Sequence, residues 1–549
     1  MPACAARCNR VCRPRPIFEG PRVQVEVHFM PGAGDASAFF SARSGLARPD
    51  PQFGSLEALR RMSFSTVLVA TLLAALLLRI DRTEAAPSLA LHECRLESAA
   101  VRGNVTARCG YYSVPENPEQ PGRRISLHVA IIPALRLAPA ADPLFVISGG
   151  PGQAASDFYV SAAPAFAYFR RDRDIVLVDQ RGTGASNRLD CALEYEDDLT
   201  SMSTASLQLL AQRCLRTLPG DTRFYTTSMA VRDLDTVREA LGYERINLYG
   251  VSYGTRVAQH YLRRHPTRVH ATILDGVVPA GVALGPAVAL DAQNVLDGIF
   301  DRCTADSQCN AAFPDIHLRF TALYDRLRAR PLRLSVPDPL TAEPARIRFG
   351  VAELGAVVRM LSYTDDTASV LPLLIHEAQA GRAQGLAAQY LMIRRSMARQ
   401  MAMGMHFAVI CSEDVPRWND EKISIESLQR TYLGAAFMQA IGTICERWPR
   451  GRVDPDLTEP LRSPAPVLIL SGSEDPVTPR RYGEEVFKDL PNATHLLLSG
   501  QGHGQIGTGC VPKLAAQFVD QGNATGLDAA CVDHVTAAPF MLSPTATAP

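Results

Sequence analysis

The sequence has no excess of charge of either sign, because 56 Lys and Arg residues balance 56 Asp and Glu residues. A chain without net charge has no overall field that attracts nucleic acid or an anionic membrane surface. Its 13 cysteines include no Cys-x-x-Cys pair, the spacing that is typical of zinc sites. We therefore predict that the protein has no nucleic-acid partner and requires neither a metal nor another cofactor.

The apolar run near the amino terminus is short. Residues 67–78 are apolar except for one threonine, and about 12 residues are too few to cross a bilayer core of ~30 Å. Arginines at 60–61 precede this run and alanines at 85–86 follow it, which is the order of a secretory signal peptide. We predict a leader with a signal peptide at 1–86 and a secreted or periplasmic protein, with the membrane as a partner only if the leader is retained as an anchor.

Export would change the expected state of the cysteines, since thiols oxidise readily outside the cytosol. Ten cysteines follow the leader, and they fall into neighbouring pairs along the sequence. The pairs are Cys94 with Cys109, Cys191 with Cys214, Cys303 with Cys309, Cys411 with Cys445, and Cys510 with Cys531. We predict five local disulfides; the alternative is free, buried cysteines in a cytosolic enzyme.

Short apolar runs alternate with helical stretches from residue 87 onward. This alternation is typical of parallel strands that are joined by crossover helices. The predicted strands are 125–133, which is antiparallel, and 144–148, 175–179, 246–249, 271–274, 467–470 and 495–498. Helical spacing of apolar residues at 229–241 and 253–265 supplies two of the helices. The predicted fold class is α/β, with a mostly parallel central sheet and helices on both faces.

The interval between the strands 271–274 and 467–470 is too long for a loop. It contains helix-like stretches at 287–300, 316–329, 351–361, 385–397 and 427–441. We predict an inserted helical lid at 281–460, which divides the core into the parts 87–280 and 461–549. The alternative, an independent domain, is disfavoured because core strands resume only after this segment.

The strongest chemical signal is the sequence Gly-Val-Ser-Tyr-Gly at 250–254, between a predicted strand and a predicted helix. A nucleophile on such a tight turn needs small residues two positions before and after it. Ser252 is therefore the predicted nucleophile. The amide of Tyr253, at the start of the helix, is a predicted oxyanion donor.

A second oxyanion donor is expected from the loop after an earlier strand. Residues 148–152 read Ser-Gly-Gly-Pro-Gly and follow the apolar strand residues 144–147. Gly149 and Gly150 are the candidates, with Gly150 preferred. A plain turn is the alternative, because Gly-Pro sequences are common in turns.

Serine needs a histidine to accept its proton and a carboxylate to orient that histidine. In a fold that places a Gly-x-Ser-x-Gly turn between a strand and a helix of such a sheet, the chain order is serine, acid, histidine. Asp475 follows the strand 467–470, and His503 lies between glycines after the last predicted strand. We predict His503 as the general base and Asp475 as its partner, with Glu474 and Asp275 as rival acids.

These motifs together resemble the proline iminopeptidase and secreted tripeptidyl aminopeptidase branch of the α/β hydrolases. The resemblance rests on residues 149–152, 179–186 and 250–254 and on the loops of Asp475 and His503. It implies an α/β-hydrolase fold and an aminopeptidase activity. Ser148 departs from the pattern, since intracellular proline iminopeptidases usually have histidine at this place, and this weakens an expectation of strict proline specificity.

Two charged residues in the segment 179–186 are expected to organise the structure. We predict that Arg181 braces the oxyanion loop or the nucleophile turn. Asp179 is predicted to be an anion that supports the site without reacting.

An aminopeptidase also needs an anion for the ammonium group of its substrate, because a buried ammonium without a partner is costly. Glu413 is the first candidate and Asp414 the second, since they follow a cysteine of a predicted disulfide. A solvated acidic turn is an equal alternative. Asp365 and Asp366 form a weaker pair of the same kind.

The sequence therefore predicts an exported serine hydrolase that releases amino-terminal residues or short peptides through an acyl-enzyme intermediate. Its partners are peptide substrates with a free amino terminus. An esterase or lipase with the same triad is the alternative within enzymes. A catalytically inactive binding protein on this fold is disfavoured by the complete triad.

Overall fold

The central sheet is formed by short and mostly apolar strands. The computed structural model describes residues 89–545, except 99–102, 121, 192–198 and 200–201. Within this part, nine strands form one sheet in the order β1-β2-β3-β5-β4-β6-β7-β10-β11, and β8 and β9 form a separate hairpin. The strands are β1 His92–Glu97, β2 Asn104–Pro115, β3 Arg124–Ile132, β4 Leu144–Ile147, β5 Ile175–Val178, β6 Ile246–Val251, β7 Val269–Asp275, β8 Leu332–Pro337, β9 Pro344–Phe349, β10 Val467–Gly472 and β11 Ala493–Leu498.

The six strands from β5 to β11 in this order run parallel to one another. β3 pairs antiparallel with β5, and β2 and β1 extend the antiparallel edge. The residues of β4, β5, β6 and β10 are buried throughout, because helices cover both faces of a parallel sheet. The predicted α/β class is confirmed, and the seven predicted strands are all present.

β1 and β2 were not predicted from the sequence. Exposed residues are mixed with buried ones along both strands, so neither contains the continuous apolar run that marks a buried strand.

Helices surround the sheet and fill the long interval between β7 and β10. They are α1 Ala155–Ala162, α2 Thr204–Thr217, α3 Thr227–Ala240, α4 Tyr253–Arg264, α5 Val288–Ala305, α6 Ser307–Ala312, α7 Ile316–Ala329, α8 Val351–Leu361, α9 Asp365–Ala368, α10 Leu371–Gln379, α11 Gln384–Gln400, α12 Met403–Glu413, α13 Ile425–Gln429, α14 Ala436–Cys445, α15 Arg480–Phe487 and α16 Val511–Gln521. The predicted core helices at 229–241 and 253–265 correspond to α3 and α4.

The chain leaves the sheet after β7 and returns at β10. The intervening segment holds α5 to α14 and the hairpin β8–β9, and much of it packs around its own apolar cluster, which includes Phe300, Leu323 and Phe349. The hairpin was not predicted. The single helix predicted at 427–441 is wrong, because α13 and α14 are separated by a turn in which Gly434 has a φ of 62°. The boundaries 281–460 and the role as a lid stay predictions.

The five predicted cysteine pairs are disulfides in the structure. Two of them, Cys191–Cys214 and Cys411–Cys445, lie in one buried apolar cluster that joins the core to the insertion. The predicted leader at 1–86 lies outside the described residues. None of the helices that the structure describes has the length and apolar character needed to cross a membrane.

Candidate active site

The turn from β6 into α4 explains why glycine stands on both sides of Ser252. A Cβ atom at Gly250 would lie 2.5 Å from the carbonyl oxygen of Gly254, and one at Gly254 would lie 2.4 Å from the carbonyl oxygen of Ile147. Ser252 itself has φ 56° and ψ −128°, a strained conformation that is characteristic of the nucleophile turn in α/β hydrolases.

Backbone hydrogen bonds hold Ser252 in this conformation. Its amide donates to the carbonyl oxygen of Asp275 at 2.9 Å. Its carbonyl oxygen accepts from the amide of Thr255 at 2.9 Å and from the Thr255 hydroxyl at 2.6 Å. The side chain is partly exposed, so the hydroxyl is presented on a fixed backbone.

His503 and Asp475 are joined directly. His503 Nδ1 lies 2.8 Å from Asp475 Oδ2, and the Asp475 side chain is fully buried while that of His503 is 10% exposed. Asp475 Oδ1 accepts from the amides of Val477 and Thr478, both at 2.8 Å. The Thr478 hydroxyl lies 2.7 Å from Asp475 Oδ2 and 3.1 Å from His503 Nδ1. The carboxylate is therefore fixed against the imidazole, as orientation of a general base requires.

The two rival acids have other partners. Asp275 accepts from the Tyr249 hydroxyl at 2.8 Å and from the amides of Gln505 and Ile506 at 2.7 and 2.9 Å. Glu474 lies 3.4 Å from the guanidinium of Arg302. Neither forms a hydrogen bond to the histidine within the described residues, so the geometry favours Asp475.

Asp275 has a different task, because it connects the loops of the serine and the histidine. Its backbone carbonyl holds Ser252, and its carboxylate holds the two amides that follow His503 by two and three residues. Burial raises the pKa of this carboxyl to about 6. A Cβ atom at the next residue, Gly276, would lie 3.1 Å from His503 Cε1, so the histidine packs directly against this end of β7.

The ring nitrogen Nε2 of His503 forms no hydrogen bond to Ser252 in the part of the chain that the structure describes. Both ring hydrogen bonds of this histidine use Nδ1. The serine-to-histidine bond of an unliganded hydrolase is often long and shortens when substrate binds. The arrangement therefore leaves Nε2 available for a proton from the nucleophile.

The electrostatics of His503 combine opposing effects. Burial lowers the pKa of its imidazole, and the charge and hydrogen bond of Asp475 together with the charge of Asp275 outweigh this, so the pKa lies above its usual value. The charge of Arg359 acts in the opposite direction. A positive charge on this imidazole is therefore stabilised by the two carboxylates.

The glycine-rich loop after β4 lies against the nucleophile. A Cβ atom at Gly149 would lie 2.9 Å from the Cβ of Ser252, and Gly150 has a φ of 108°. The Ser148 hydroxyl closes the loop by donating to the carbonyl oxygen of Gln153 at 2.7 Å. This placement suits the predicted oxyanion donors Gly150 and Tyr253, whose role stays a prediction.

Asp179 binds the beginning of the helix that follows this loop. Its carboxylate accepts from the amide and hydroxyl of Ser156 at 2.9 and 3.0 Å and from the amide of Ala185 at 3.2 Å. These bonds fix the start of α1, which follows the oxyanion loop directly.

Arg181 does not brace the oxyanion loop or the nucleophile turn, so that prediction is wrong. Its fully buried guanidinium contacts the carboxylate of Asp233 at 2.6 and 2.8 Å. It also donates to the carbonyl oxygens of Glu116 and Phe224 at 3.0 and 2.8 Å. These contacts join α3 to the segments after β2 and before α3, because the carboxylate that pairs with Arg181 lies on α3.

The surroundings of Glu413 and Asp414 contradict the prediction that they bind the ammonium group of the substrate. Both side chains are fully buried. Glu413 accepts from the amide and hydroxyl of Thr227 at 2.6 and 2.7 Å, and Asp414 lies 3.0 Å from the guanidinium of Arg256. Burial raises the pKa of Glu413 to about 7. An internal cation therefore occupies the place that was predicted for a substrate ammonium, and neither carboxylate is exposed to receive one.

The two residues of the weaker candidate pair have different surroundings in the structure. Asp365 accepts from the side-chain amide of Gln501 at 3.2 Å and from the amide of Ala538 at 3.0 Å, whereas Asp366 is exposed. Asp365 thereby connects the insertion to the histidine loop.

Three further residues of the site were missed from the sequence. Thr478 contacts both members of the acid and base pair, Tyr363 accepts a backbone hydrogen bond from His503 at 2.6 Å, and Arg359 influences the pKa of His503. The proximity of Thr478 to Asp475 in the chain is the one signal that could have identified any of them.

The fold and the site together define the class of protein. A parallel sheet carries a serine on a strained strand-to-helix turn, and an aspartate and a histidine follow its last two strands, which is the arrangement of α/β hydrolases. The family model described as alpha/beta hydrolase fold matches residues 142–509. The chain belongs to this family, and it is a serine hydrolase.

Similar proteins include both peptidases and an esterase. The chain is 24% identical over 486 residues to serine protease Hip1 of Mycobacterium tuberculosis, a match that covers 80% of this chain and 90% of that protein. It is 28% identical over 475 residues to carboxylesterase B of the same species, covering 79% and 88%. It is 24% identical over 463 residues to tripeptidyl aminopeptidase of Streptomyces coelicolor, covering 79% and 84%.

Proposed function

We propose that this serine hydrolase is an exported aminopeptidase that releases amino-terminal residues or short peptides through an acyl-enzyme intermediate. The observation that carries the proposal is the 2.8 Å contact between His503 Nδ1 and Asp475. Asp275 connects this pair to the strained turn, because it binds both the backbone of Ser252 and the loop that follows His503. The similarity to a serine protease and to a tripeptidyl aminopeptidase supports peptides as substrates.

In the proposed reaction Ser252 attacks the carbonyl carbon of the scissile bond while His503 Nε2 accepts the serine proton. Asp475 stabilises the imidazolium, which then protonates the leaving amine. The amides of Gly150 and Tyr253 hold the oxyanion, and the loss of one such donor typically raises the barrier by about 2.7 to 4 kcal/mol. Water then repeats these steps to release the acyl group.

Export is part of the proposal. The five disulfides support an oxidising compartment, because such bonds rarely persist in the cytosol. We propose a secreted or periplasmic location, with membrane attachment only if the leader is retained. Amino-terminal sequencing of the protein from its native host tests this, and an intact leader would contradict cleavage.

The second candidate is an ester hydrolase, which the similarity to carboxylesterase B favours. Acyl transfer by the same three residues cleaves esters as well as amides. The test compares peptides with free and with blocked amino termini against short acyl esters, with Ser252→Ala as the inactive control. A preference for esters without any dependence on a free amine would refute the aminopeptidase.

A further inference from the structure

Arg359 on α8 is a partly buried cation near the catalytic histidine, and no acidic residue in the described part of the chain forms an ion pair with it. Its Nε atom is buried and has no hydrogen-bond partner. Other arginines around the site are paired: Arg256 with Asp414 at 3.0 Å and Arg302 with Glu474 at 3.4 Å. The Nε atoms of Arg256 and Arg302 also have no hydrogen-bond partner, so Arg359 differs from them in having no carboxylate beside its charge. A partly buried cation of this kind is able to bind an anion that comes from outside the protein.

The position of Arg359 links it to the reaction centre. Its guanidinium carbon lies 5.7 Å from the centre of the Tyr363 ring. That ring lies 5.3 Å from the imidazole of His503 and nearly perpendicular to it, and the carbonyl oxygen of Tyr363 accepts the His503 amide. The guanidinium is therefore separated from the general base by one aromatic side chain.

The charge of Arg359 also reaches the oxyanion side of the site. It contributes to lowering the pKa of His406, which burial lowers most, to about 4. His406 Nδ1 lies 3.1 Å from the carbonyl oxygen of Pro151 in the oxyanion loop. The positive charge of Arg359 therefore influences both His503 and His406.

The nearby carboxylates are engaged elsewhere, Asp475 with His503 and Asp365 with Gln501 and Ala538.

We propose that Arg359 is the centre of a subsite for a carboxylate of the substrate. A guanidinium binds a carboxylate with two parallel hydrogen bonds and remains charged at any physiological pH. The carboxylate belongs either to an acidic side chain or to the carboxyl terminus of a short peptide. This inference deepens the proposed function and rests on it for the identity of the substrate.

The test measures kcat/KM for four versions of one short peptide: a carboxyl terminus that is free or amidated, each with Glu or Gln at one position. We expect the wild type to favour an anionic version and Arg359→Gln to reduce that preference, measured as the ratio of kcat/KM for the anionic and the neutral peptide, by about 10- to 100-fold. A change that both peptides share, as expected from the loss of a positive charge near His503, cancels in this ratio. If the preference depends on the free carboxyl terminus, the terminus is the bound carboxylate; if it depends on Glu against Gln, the side chain is. Arg359→Lys should retain part of the preference.

Arg430→Gln is the matched control, because Arg430 is an exposed arginine of the same insertion, and it should leave the preference unchanged. An equal loss for neutral and anionic peptides in Arg359→Gln, or a wild type without preference for an anion, would overturn the subsite. A comparison of unfolding temperatures identifies a variant that fails to fold, in which case Arg359→Lys decides.

Failure of the proposed function is distinguishable from failure of the subsite. If the wild type cleaves acyl esters and no peptide, the aminopeptidase proposal is refuted. The same variants are then compared on an acyl ester with a free carboxylate and on its neutral methyl ester. Loss of discrimination between these esters in Arg359→Gln would support the subsite, and unchanged discrimination would refute it.

Discussion

Replacement of Asp475 by asparagine should stop catalysis while leaving the fold intact. The side chain keeps its shape, and Oδ1 can still accept from the amides of Val477 and Thr478. The amide nitrogen takes the place of Oδ2, which faces both the Thr478 hydroxyl and His503 Nδ1. Because an amide NH2 group only donates, it forces Nδ1 to accept and places the imidazole proton on Nε2, where the serine proton must go.

The expected loss follows from this tautomer. An asparagine at this position of a catalytic triad lowers kcat by about 10⁴, which corresponds to about 5.5 kcal/mol in the activation barrier. The assay is kcat/KM for the best peptide or ester substrate, together with the unfolding temperature of wild type and variant.

Glu474→Gln is the matched control, since Glu474 is the adjacent acid and pairs with Arg302 instead. It should change kcat/KM by less than about threefold, as expected for a group outside the acid and base pair. Retention of more than a tenth of the activity by Asp475→Asn, or an equal loss in Glu474→Gln, would refute the assignment of the acid.

Three further predictions follow from the same contacts. Because the pKa of His503 is raised and only the neutral imidazole accepts a proton, kcat/KM should fall as the pH decreases through a value above about 6.5; an inflection at or below that value in the pH profile would contradict this. Gly254→Ala should destabilise the protein by about 1 to 3 kcal/mol and abolish activity, because its Cβ would lie 2.4 Å from the Ile147 carbonyl oxygen; unchanged thermal unfolding would argue against the tight turn. Asp414→Asn should cost about 3 to 5 kcal/mol in urea unfolding, since it leaves Arg256 buried with a weakened partner. Asp366→Asn at an exposed position is its control, and equal effects of the two would show that burial is not the cause.

The sheet could be predicted because its parallel strands are recognisable from their own apolar residues. Strands such as β4 and β5 are apolar along their whole length, since both faces are covered. The pair β1 and β2 lies at the edge and contains exposed residues, so its pattern resembles that of loops. Predictions of secondary structure thus succeeded where burial alone determines the residue type.

The candidate site was predictable only in its local parts. Ser252 and its flanking glycines form one turn, and the order of Asp475 and His503 follows from the order of the strands. The partners of Glu413 could not be predicted, because Thr227 and Arg256 lie far away in sequence and meet it only through the insertion. For the same reason the sequence could not predict that Arg359 lies near His503.

The insertion, which is predicted to act as a lid, contacts the elements that carry both Ser252 and His503. On one side Asp414 holds Arg256 of the nucleophile helix α4, and Glu413 binds Thr227, whose hydroxyl lies 2.8 Å from that of Tyr253. On the other side the insertion reaches the histidine loop through the carbonyl oxygen of Tyr363 at 2.6 Å. Because the insertion contacts both the serine helix and the histidine loop, a movement of the insertion would change the distance between these two elements. Changes within it should therefore alter kcat together with KM, in contrast to a cover that only admits or excludes substrate.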